Sequence, residues 1–325
     1  MTTDIEWTLP GEWVRQETVW FSWPVSSHIW PGKQAAIERK FVEIVAAASR
    51  FQLVSINAAA EAHERVAKAL TAAGVAESAY RLFPHATNDV WCRDHGPIFM
   101  RSRKTGEVRI EDWLFNAWGG KFEPWNLDNE IPGLIARSLG MAKESFPLIL
   151  EGGAIESNGE GVLLTTPDVI LNPNRGWNCD RKAAERILCD GLGVQEVVWV
   201  EHSLPNDDTD GHIDNVTRFF GPSAVLTVVD PELPGLQENF EALKQRFDSV
   251  IALPRPETDG PPKSHANFLI LNGGVLLPVF GGKTDAEAVS ILRDCFPGRE
   301  IVPVDCNLLL EEGGAVHCLS MQQPV

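Results

Sequence analysis

The segment that decides the predicted fold runs Leu148-Ile-Leu-Glu-Gly-Gly-Ala-Ile-Glu-Ser-Asn-Gly-Glu-Gly-Val-Leu-Leu-Thr-Thr166. Its two apolar, β-type runs are separated by Asn158-Gly-Glu-Gly161, and glycine-rich turns of this kind join the strands of hairpins. The segment Ala266–Phe280 repeats the arrangement around Asn272-Gly-Gly274. Two hairpins of one design indicate that a small unit recurs along the chain.

The rest of the chain alternates β-type runs with stretches of helical periodicity. A strand is predicted at Glu17–Trp23. The predicted helices are Gln34–Arg50, Ala60–Ala73, Glu130–Leu139, Arg181–Leu192, Leu233–Phe247 and Asp285–Phe296.

Two or three strands and one helix return roughly every 60 residues, which predicts about five copies of an α/β module. A unit this short cannot bury its sheet alone, whereas radial, propeller-like packing of the copies would bury it. An ordinary doubly wound sheet is the alternative. The Pro254–Pro262 segment is short and is interpreted as a loop, so residues 1–325 are expected to form a single domain.

Composition and charge exclude several classes of function. With 325 residues, of which 44% are hydrophobic, the chain can bury a core, and no apolar run approaches the length of a membrane span. A formal charge of −17 opposes binding to nucleic acid and to anionic lipid, and it favours a cationic substrate. The segment Met1–Trp13 lacks the pattern of a secretory signal, so a cytoplasmic location is expected.

The cysteines are widely spaced and form no C-x-x-C pair; they are Cys92, Cys179, Cys189, Cys295, Cys306 and Cys318. This spacing favours free thiols over disulfides and over a metal site. The sequence also lacks the glycine-rich motifs that bind dinucleotides and nucleoside triphosphates. We therefore expect no metal and no organic cofactor.

Four glycine-punctuated segments gather reactive side chains where predicted strands end. They are Asn88–Pro97, Glu151–Ala154, Asp208–Asn215 and Glu312–Cys318. In the third segment, the spacing of His212 and Asp214 predicts that both lie on one face of a strand. A solvated turn is the alternative interpretation.

The chemistry of these segments suits a guanidinium ion. The carboxylates of Asp94, Glu151 and Asp214 match its planar fork of N–H donors, and its carbon would then face the thiolate of Cys318. His212 can transfer protons near neutral pH. For Cys318 alone, a buried structural thiol is the simpler interpretation.

The same segments resemble those of agmatine deiminases and the related bacterial peptidyl-arginine deiminases, within the guanidino-group-modifying superfamily. The resemblance spans nearly the whole chain. It includes Trp20-Phe-Ser-Trp-Pro24, Phe115-Asn-Ala-Trp-Gly-Gly-Lys-Phe122, Leu171-Asn-Pro-Asn-Arg175, Asn267-Phe-Leu-Ile-Leu-Asn-Gly-Gly274 and His317-Cys-Leu-Ser-Met-Gln-Gln-Pro324. It implies the pentein fold, a five-bladed α/β propeller of ββαβ-type modules.

The resemblance also implies a role for each reactive residue. Cys318 matches the nucleophile, His212 the general acid and base, Asp94 and Asp214 the carboxylates that hold the guanidinium, and Glu151 a further acidic residue of the site. The implied reaction converts agmatine to N-carbamoylputrescine and ammonia through an S-alkylthiouronium intermediate on Cys318.

Further residues are expected to bind the substrate. Trp91 matches a tryptophan that borders the substrate, Trp118 could line its alkyl chain, and Asn267 lies in a matching segment. For the distal ammonium of agmatine, Asp208 and Asp210 are candidates by position, with a turn cap as the alternative.

The chain departs from the agmatine branch of the family at four positions. Ala154 stands where Ser or Asn is usual, Ala315 where Asn is usual, His95 where Thr is usual and His265 where Tyr is usual. These departures concern the surroundings of the substrate more than the reaction type.

Three other functions are alternatives to agmatine deimination. A peptidyl-arginine deiminase would need an open cleft. A thiol protease or amidase would need an oxyanion hole and would gain nothing from three carboxylates. A catalytically silent propeller scaffold would not need the complete reactive set. The expected partner is a small cationic guanidine, without nucleic acid or membrane, and a homo-oligomer is left open.

Overall fold

The computed structural model describes residues 6–24, 29–258 and 260–325. The start of the Met1–Trp13 segment and Asp259 of the predicted loop lie outside this range. The strands, in chain order, are β1 Trp7–Thr8, β2 Gln16–Ser22, β3 Leu53–Asn57, β4 Tyr80–Phe83, β5 Ile98–Ser102, β6 Val108–Leu114, β7 Lys143–Ile149, β8 Glu156–Ser157, β9 Val162–Thr165, β10 Glu196–Trp199, β11 Thr217–Gly221, β12 Ala224–Val229, β13 Ser249–Pro254, β14 Leu269–Ile270, β15 Gly274–Val279, β16 Glu300–Asp305 and β17 Ser320–Pro324.

The helices, in chain order, are α1 Gln34–Ser49, α2 His63–Ala72, α3 Cys92–His95, α4 Ala117–Gly120, α5 Ile131–Leu139, α6 Pro167–Ile170, α7 Arg181–Leu192, α8 Pro234–Lys244 and α9 Asp285–Cys295. Helices α1, α2, α5, α7, α8 and α9 confirm the six predictions made from periodicity, with ends that differ by a few residues, whereas the four-residue helices α3, α4 and α6 were not predicted. Helix α7 has the predicted bounds because Asp180 accepts a hydrogen bond from the N–H of Ala183 at its start and Gly193, with a φ of 60°, ends it.

The strands form five sheets in the described part of the chain. In four of them an antiparallel pair is followed by a helix and by a strand parallel to the second of the pair: β5–β6–β7, β8–β9–β10, β11–β12–β13 and β14–β15–β16. This order confirms the predicted α/β fold of repeated ββαβ modules.

The fifth sheet joins the two ends of the chain. Strand β17 pairs antiparallel with β2, while β3 pairs parallel with β2 and β4 with β3. Its crossover helix α1 buries Ile37, Phe41, Ile44, Val45 and Ala48, which share one helical face. The C-terminal strand therefore completes the N-terminal module, as a closed five-bladed propeller requires.

One predicted hairpin begins later in the chain than expected. Both turns are confirmed, because β8 pairs antiparallel with β9 and β14 with β15. The prediction was wrong for Leu148 and Ile149, which lie at the end of β7, a strand parallel to β6 in another sheet. A short helical turn at Gly152–Ala154 separates the two sheets, and an apolar run alone does not reveal such a break.

Each module enters its first strand through a short turn, which we call an entry turn. The five entry turns are Cys92–His95, Glu151–Ala154, His212–Asn215, Ser264–Phe268 and Ala315–Leu319.

The five entry turns contact one another in a closed ring. The first and second meet where the N–H of Gly153 donates to Asp94, and the second and third meet at Gly153 and His212. Further round, Asn267 donates to Asn215, and the N–H of His317 donates to the carbonyl of Asn267. The N–H of Arg93 donates to the carbonyl of Cys318 and closes the ring. The reactive residues are therefore brought together at the centre of the modules. No helix in the described ranges is long and apolar enough to cross a bilayer.

Candidate active site

The thiol of Cys318 is buried in the fifth entry turn, against an amide. The Nδ2 of Asn267 donates to Sγ over 3.0 Å, and its Oδ1 accepts from the backbone N–H of Cys318 at 3.3 Å and of His317 at 3.1 Å. Asn267 thus fixes both the nucleophile and the backbone that carries it. The Oδ2 of Asp214 lies 3.7 Å from Sγ.

Asp94 is held at the centre by donors from two other segments. Its Oδ2 accepts from Trp118 Nε1 at 3.0 Å, and its Oδ1 accepts from the N–H of Gly153 at 3.1 Å. The Oδ1 atom also lies 3.6 Å from Nδ1 of His212. The carboxylate and the imidazole are therefore close enough to act on one substrate group.

His212 and Asp214 lie together, although not in the predicted way. The prediction that they share one face of a strand was wrong, because Ile213–Asn215 forms a short helical turn that His212 precedes. The turn directs both side chains to the centre, and Oδ2 of Asp214 contacts Nδ1 of His317 at 2.7 Å. Both side chains are fully buried.

Glu151 is anchored through one of its two oxygens in the described part of the chain. Its Oε1 accepts from Nε of Arg175 at 2.6 Å, and Arg175 also donates to Asp210 Oδ2 at 2.6 Å and to the carbonyl of Thr209 at 2.8 Å. Asp210 also accepts from Lys121 and Asn174. The carboxylate of Asp210, a candidate for binding the distal ammonium, is therefore already engaged by hydrogen-bond donors of the protein itself.

Gly153 marks the point where the reactive groups converge. A methyl group at this position would lie 2.5 Å from His212 Nδ1, 2.7 Å from Asp94 Oδ1 and 3.2 Å from Asp214 Oδ2. Glycine is required here because the backbone passes directly beside three polar side chains.

Several buried polar atoms of the site have no hydrogen-bond partner among the described residues. They are Glu151 Oε2, Asp214 Oδ1 and both ring nitrogens of His212. Buried polar atoms are nearly always hydrogen-bonded in folded proteins, so exceptions need an explanation. Acceptors grouped around one point are explained by a ligand that supplies several N–H donors.

Burial and neighbouring charges set the protonation of the nucleophile and the base. Burial, with the charges of Asp214 and Asp94, raises the pKa of the Cys318 thiol well above its ordinary value. Burial lowers the pKa of His212 to about 3. At neutral pH the site without ligand therefore holds a thiol and an uncharged imidazole.

The carboxylates differ from one another in their protonation. Burial and the charges of Asp214 and Glu151 raise the pKa of Asp94 well above its ordinary value, and burial raises the pKa of Glu151 despite Arg175. Burial would also raise the pKa of Asp214, but the hydrogen bond and charge of His317 lower it. The neighbouring carboxylates therefore disfavour ionisation of Asp94, and a bound cation would offset their repulsion.

A pocket of about 420 Å³, counted out to the solvent at its mouth, leads from Cys318 and Asp94 to the surface. Trp91, Trp118 and Phe122 form its apolar wall. Besides Asp94, its acidic lining residues are Asp89, Asp208 and Glu312. A lining of aromatic rings and carboxylates is suited to an apolar chain that carries positive charge.

Sequence reasoning selected Trp91, Trp118 and Asp208 for this pocket but missed Asp89 and Glu312. Both lie inside segments that were singled out for other residues, and proximity to those residues was the available signal.

Burial first, and then the charge of Glu312, raise the pKa of Asp89 to about 7. A backbone hydrogen bond from Val90 opposes that shift.

The four departures from the agmatine branch all lie in entry turns. Ala154 and Ala315 are buried. His95 contacts Ser22 Oγ through Nε2 at 2.9 Å, and His265 lies between the carbonyl of Pro278 and the hydroxyl of Thr284. The two histidines are therefore engaged by the protein itself.

Comparisons with known proteins point to one family. The sequence model of the Porphyromonas-type peptidyl-arginine deiminases matches residues 8–324. The agmatine deiminase of Pseudomonas syringae pv. syringae is 35% identical over 97% of this chain and 95% of that protein. The structure of the Enterococcus faecalis agmatine deiminase matches with a TM-score of 0.90 at 27% identity, over 98% of this chain and 96% of that one. The substrate-bound C. jejuni agmatine deiminase matches with a TM-score of 0.88, also at 27% identity and with the same coverage.

Proposed function

Because the chain belongs to the Porphyromonas-type peptidyl-arginine deiminase family, we propose that it hydrolyses agmatine to N-carbamoylputrescine and ammonia. The observation that supports this most directly is the unpartnered Oδ1 of Asp214, whose Oδ2 lies 3.7 Å from the buried thiol of Cys318; Glu151 Oε2 is a second unpartnered acceptor. A guanidinium supplies planar N–H donors to such acceptors and presents its carbon to sulfur.

In the proposed first step, Asp94 and Asp214 hold the guanidinium while Cys318 attacks its carbon. A C–S bond forms, and the proton that the thiol gives up reaches the leaving nitrogen through His212. The ring is uncharged beforehand because burial lowers its pKa to about 3, so it must receive a proton before it can deliver one. Breakage of the C–N bond releases ammonia and leaves an S-alkylthiouronium on Cys318.

In the proposed second step, His212 takes a proton from water, and the oxygen bonds to the same carbon. The C–S bond then breaks, the sulfur regains a proton, and the ureido product leaves. Water supplies the oxygen and the proton that the sulfur regains, and the one remaining proton passes to solvent, where the released ammonia takes it up as ammonium; no oxidant or reductant is needed.

The substrate itself supplies part of the activation. The charges of Asp214 and Asp94 oppose ionisation of Cys318, and a bound guanidinium would offset both. We therefore expect iodoacetamide to alkylate the free protein at pH 7 far more slowly than it alkylates a fully ionised thiol. Fast alkylation at that pH would contradict this activation, because the thiolate would then exist before substrate arrives.

The other end of the pocket favours agmatine over arginine. Agmatine carries an ammonium at the end of its chain, and Asp208 together with Asp89 and Glu312 offers it carboxylates. Free arginine would bring an α-carboxylate to the same acids, and arginine in a peptide brings no charge there. Trp91 and Trp118 would line the alkyl chain and add a cation–π contribution of about 0.5–2 kcal/mol.

The ring of contacts between the entry turns supports one catalytic domain for residues 1–325, and other features support a cytoplasmic location. All six cysteines are free thiols in the structure, as is usual in a reducing compartment. The formal charge of −17 opposes nucleic acid and anionic lipid as partners.

The test measures ureido product and ammonia from agmatine, free arginine and a peptide with internal arginine, in parallel, with Cys318→Ala as the blank and EDTA present. Turnover of agmatine well above the other two supports the proposal. Preferred turnover of the peptide would instead identify a protein-modifying deiminase. Turnover of none of the three would overturn the proposed activity.

A further inference from the structure

His317, the residue before the nucleophile, is buried between two carboxylates. Its Nδ1 lies 2.7 Å from Oδ2 of Asp214, and its Nε2 lies 2.8 Å from Oε1 of Glu12. Glu12 is 305 positions away in the sequence and contacts the other ring nitrogen from the one that faces Asp214. Neither residue is among the site residues predicted from the sequence.

The two contacts constrain the protons of the ring. An ionised carboxylate can only accept hydrogen bonds, so both contacts are hydrogen bonds only if both ring nitrogens carry protons. Glu12 is a poor place for a proton because Arg93 Nη1 lies 3.0 Å from its Oε1 and Arg218 Nη2 lies 2.6 Å from its Oε2.

We propose that His317 is a positioning residue whose ring carries both protons, so that the chain Glu12–His317–Asp214 holds Asp214 as an oriented carboxylate. The ring occupies Oδ2 of Asp214 and leaves Oδ1 for the guanidinium. Without the imidazolium, Asp214 would be a buried acid close to Asp94 and would take up a proton instead of binding a cation.

The protonated ring depends on both of its neighbours. Burial first, and then the charges of Arg218 and Arg93, lower the pKa of His317 below its ordinary value, and Glu12 and Asp214 oppose that shift. The doubly protonated ring is therefore inferred from the two short contacts with carboxylates, and it needs both of them. Removal of either carboxylate should therefore leave the ring uncharged at neutral pH. The side chains of Glu12, Glu156 and His317 are also close enough together to suggest a metal site. Arg93 and Arg218 already contact the two glutamates, however, and take the place of a metal ion there.

The first experiment observes the ring directly in the wild-type protein. Long-range ¹H–¹⁵N NMR distinguishes a doubly protonated imidazole from either neutral tautomer, and the signals lost in His317→Gln identify His317 among the eight histidines. We expect a doubly protonated ring at pH 7. A neutral ring at pH 7 would overturn the proposal.

The second experiment compares Glu12→Gln with Glu156→Gln. Each variant removes a carboxylate that contacts Arg218, at 2.6 Å and 2.8 Å respectively, but only Glu12 contacts His317. With Glu12→Gln we expect the ring to lose its second proton and the acidic limb of kcat/KM for agmatine to move to higher pH. Each unit of that movement lowers kcat/KM about tenfold on the acidic side. With Glu156→Gln the limb should stay in place.

Equal movement of the limb in the two variants would overturn the proposal, because the effect would then come from Arg218 alone. The kinetic comparison rests on the proposed function, whereas the NMR measurement needs no substrate. Absence of turnover in the wild type would therefore count against the function, and the protonation of His317 would still be decided.

Discussion

Two groups of buried charges lie on opposite sides of His317, and they differ in how completely their members are paired. The first, which we call the acidic group, comprises Asp94, Glu151 and Asp214. The second, the paired group, comprises Glu12, Arg93, Glu156 and Arg218. In the paired group all carboxylate oxygens accept a hydrogen bond. In the acidic group, Glu151 and Asp214 each keep an oxygen without a partner among the described residues.

The difference separates structural from chemical use of the same kinds of side chain. Paired buried ions fix the geometry of the segments they join, and removal of one partner is costly. Unpaired buried carboxylates reduce the stability of the protein without ligand, and their presence is explained by a cationic ligand that pairs with them when it binds. The following predictions test this distinction.

The largest effect is expected at the nucleophile. Cys318→Ala should lower kcat for agmatine by on the order of 10⁴-fold or more, because no covalent intermediate can form. Binding of agmatine, measured by calorimetry, should survive because the acidic group remains. Residual turnover close to the wild-type rate would contradict the role of this thiol.

The next effect concerns the stability of the paired group. Arg218→Met leaves Glu12 and Glu156 buried without their shared partner, and we expect the free energy of unfolding in urea to fall by about 3–5 kcal/mol. The control is Arg181→Met, which removes an exposed ion pair with Glu201 and should cost less than about 1 kcal/mol. Equal losses in the two variants would show that the paired group has no special structural role.

The sequence predicted local structure better than the pairing of distant segments. Periodicity located α1 and α7 almost to the residue because it reports which face of one helix is buried. It could not show that β17 completes the sheet of β2, or that Ile149 belongs to a different sheet from Glu156. Those pairings depend on segments far apart in the chain.

The same limit applies to the candidate site. Asp94, Glu151, His212, Asp214 and Cys318 were selected from short motifs, and the structure brings them together. The support of His317 by Glu12 was not predicted, because the two residues lie 305 positions apart.

The outer end of the pocket gives a smaller effect. With Glu312→Gln we expect KM for agmatine to rise about fivefold with little change in kcat, as for the loss of about 1 kcal/mol from a partly exposed ion pair. The control Glu311→Gln removes an exposed carboxylate that contacts Lys33 and should leave KM unchanged. The effect of Glu312→Gln should disappear with a butylguanidine that lacks the ammonium. An equal effect on that compound would contradict ammonium binding by Glu312.

The last effect is gradual, because it is a change in how stability depends on pH. Because burial and the charges of Asp214 and Glu151 raise the pKa of Asp94 in the folded protein, its ionisation disfavours folding. Wild-type stability should therefore fall as pH rises above the ordinary pKa of an aspartate and towards the raised one.

Asp94→Asn removes this titration, while its loss of a hydrogen bond to Trp118 or Gly153 is a pH-independent offset. The free energy of unfolding of Asp94→Asn relative to wild type should thus increase with pH, by at most about 1.4 kcal/mol per pH unit for one proton. Urea unfolding at several pH values, from about 5 to about 7.5, measures this difference. A constant difference would mean that Asp94 ionises as readily as Glu12, whose pKa, despite burial, is held well below its ordinary value by Arg218 and Arg93, and that contrast between the two groups would be lost.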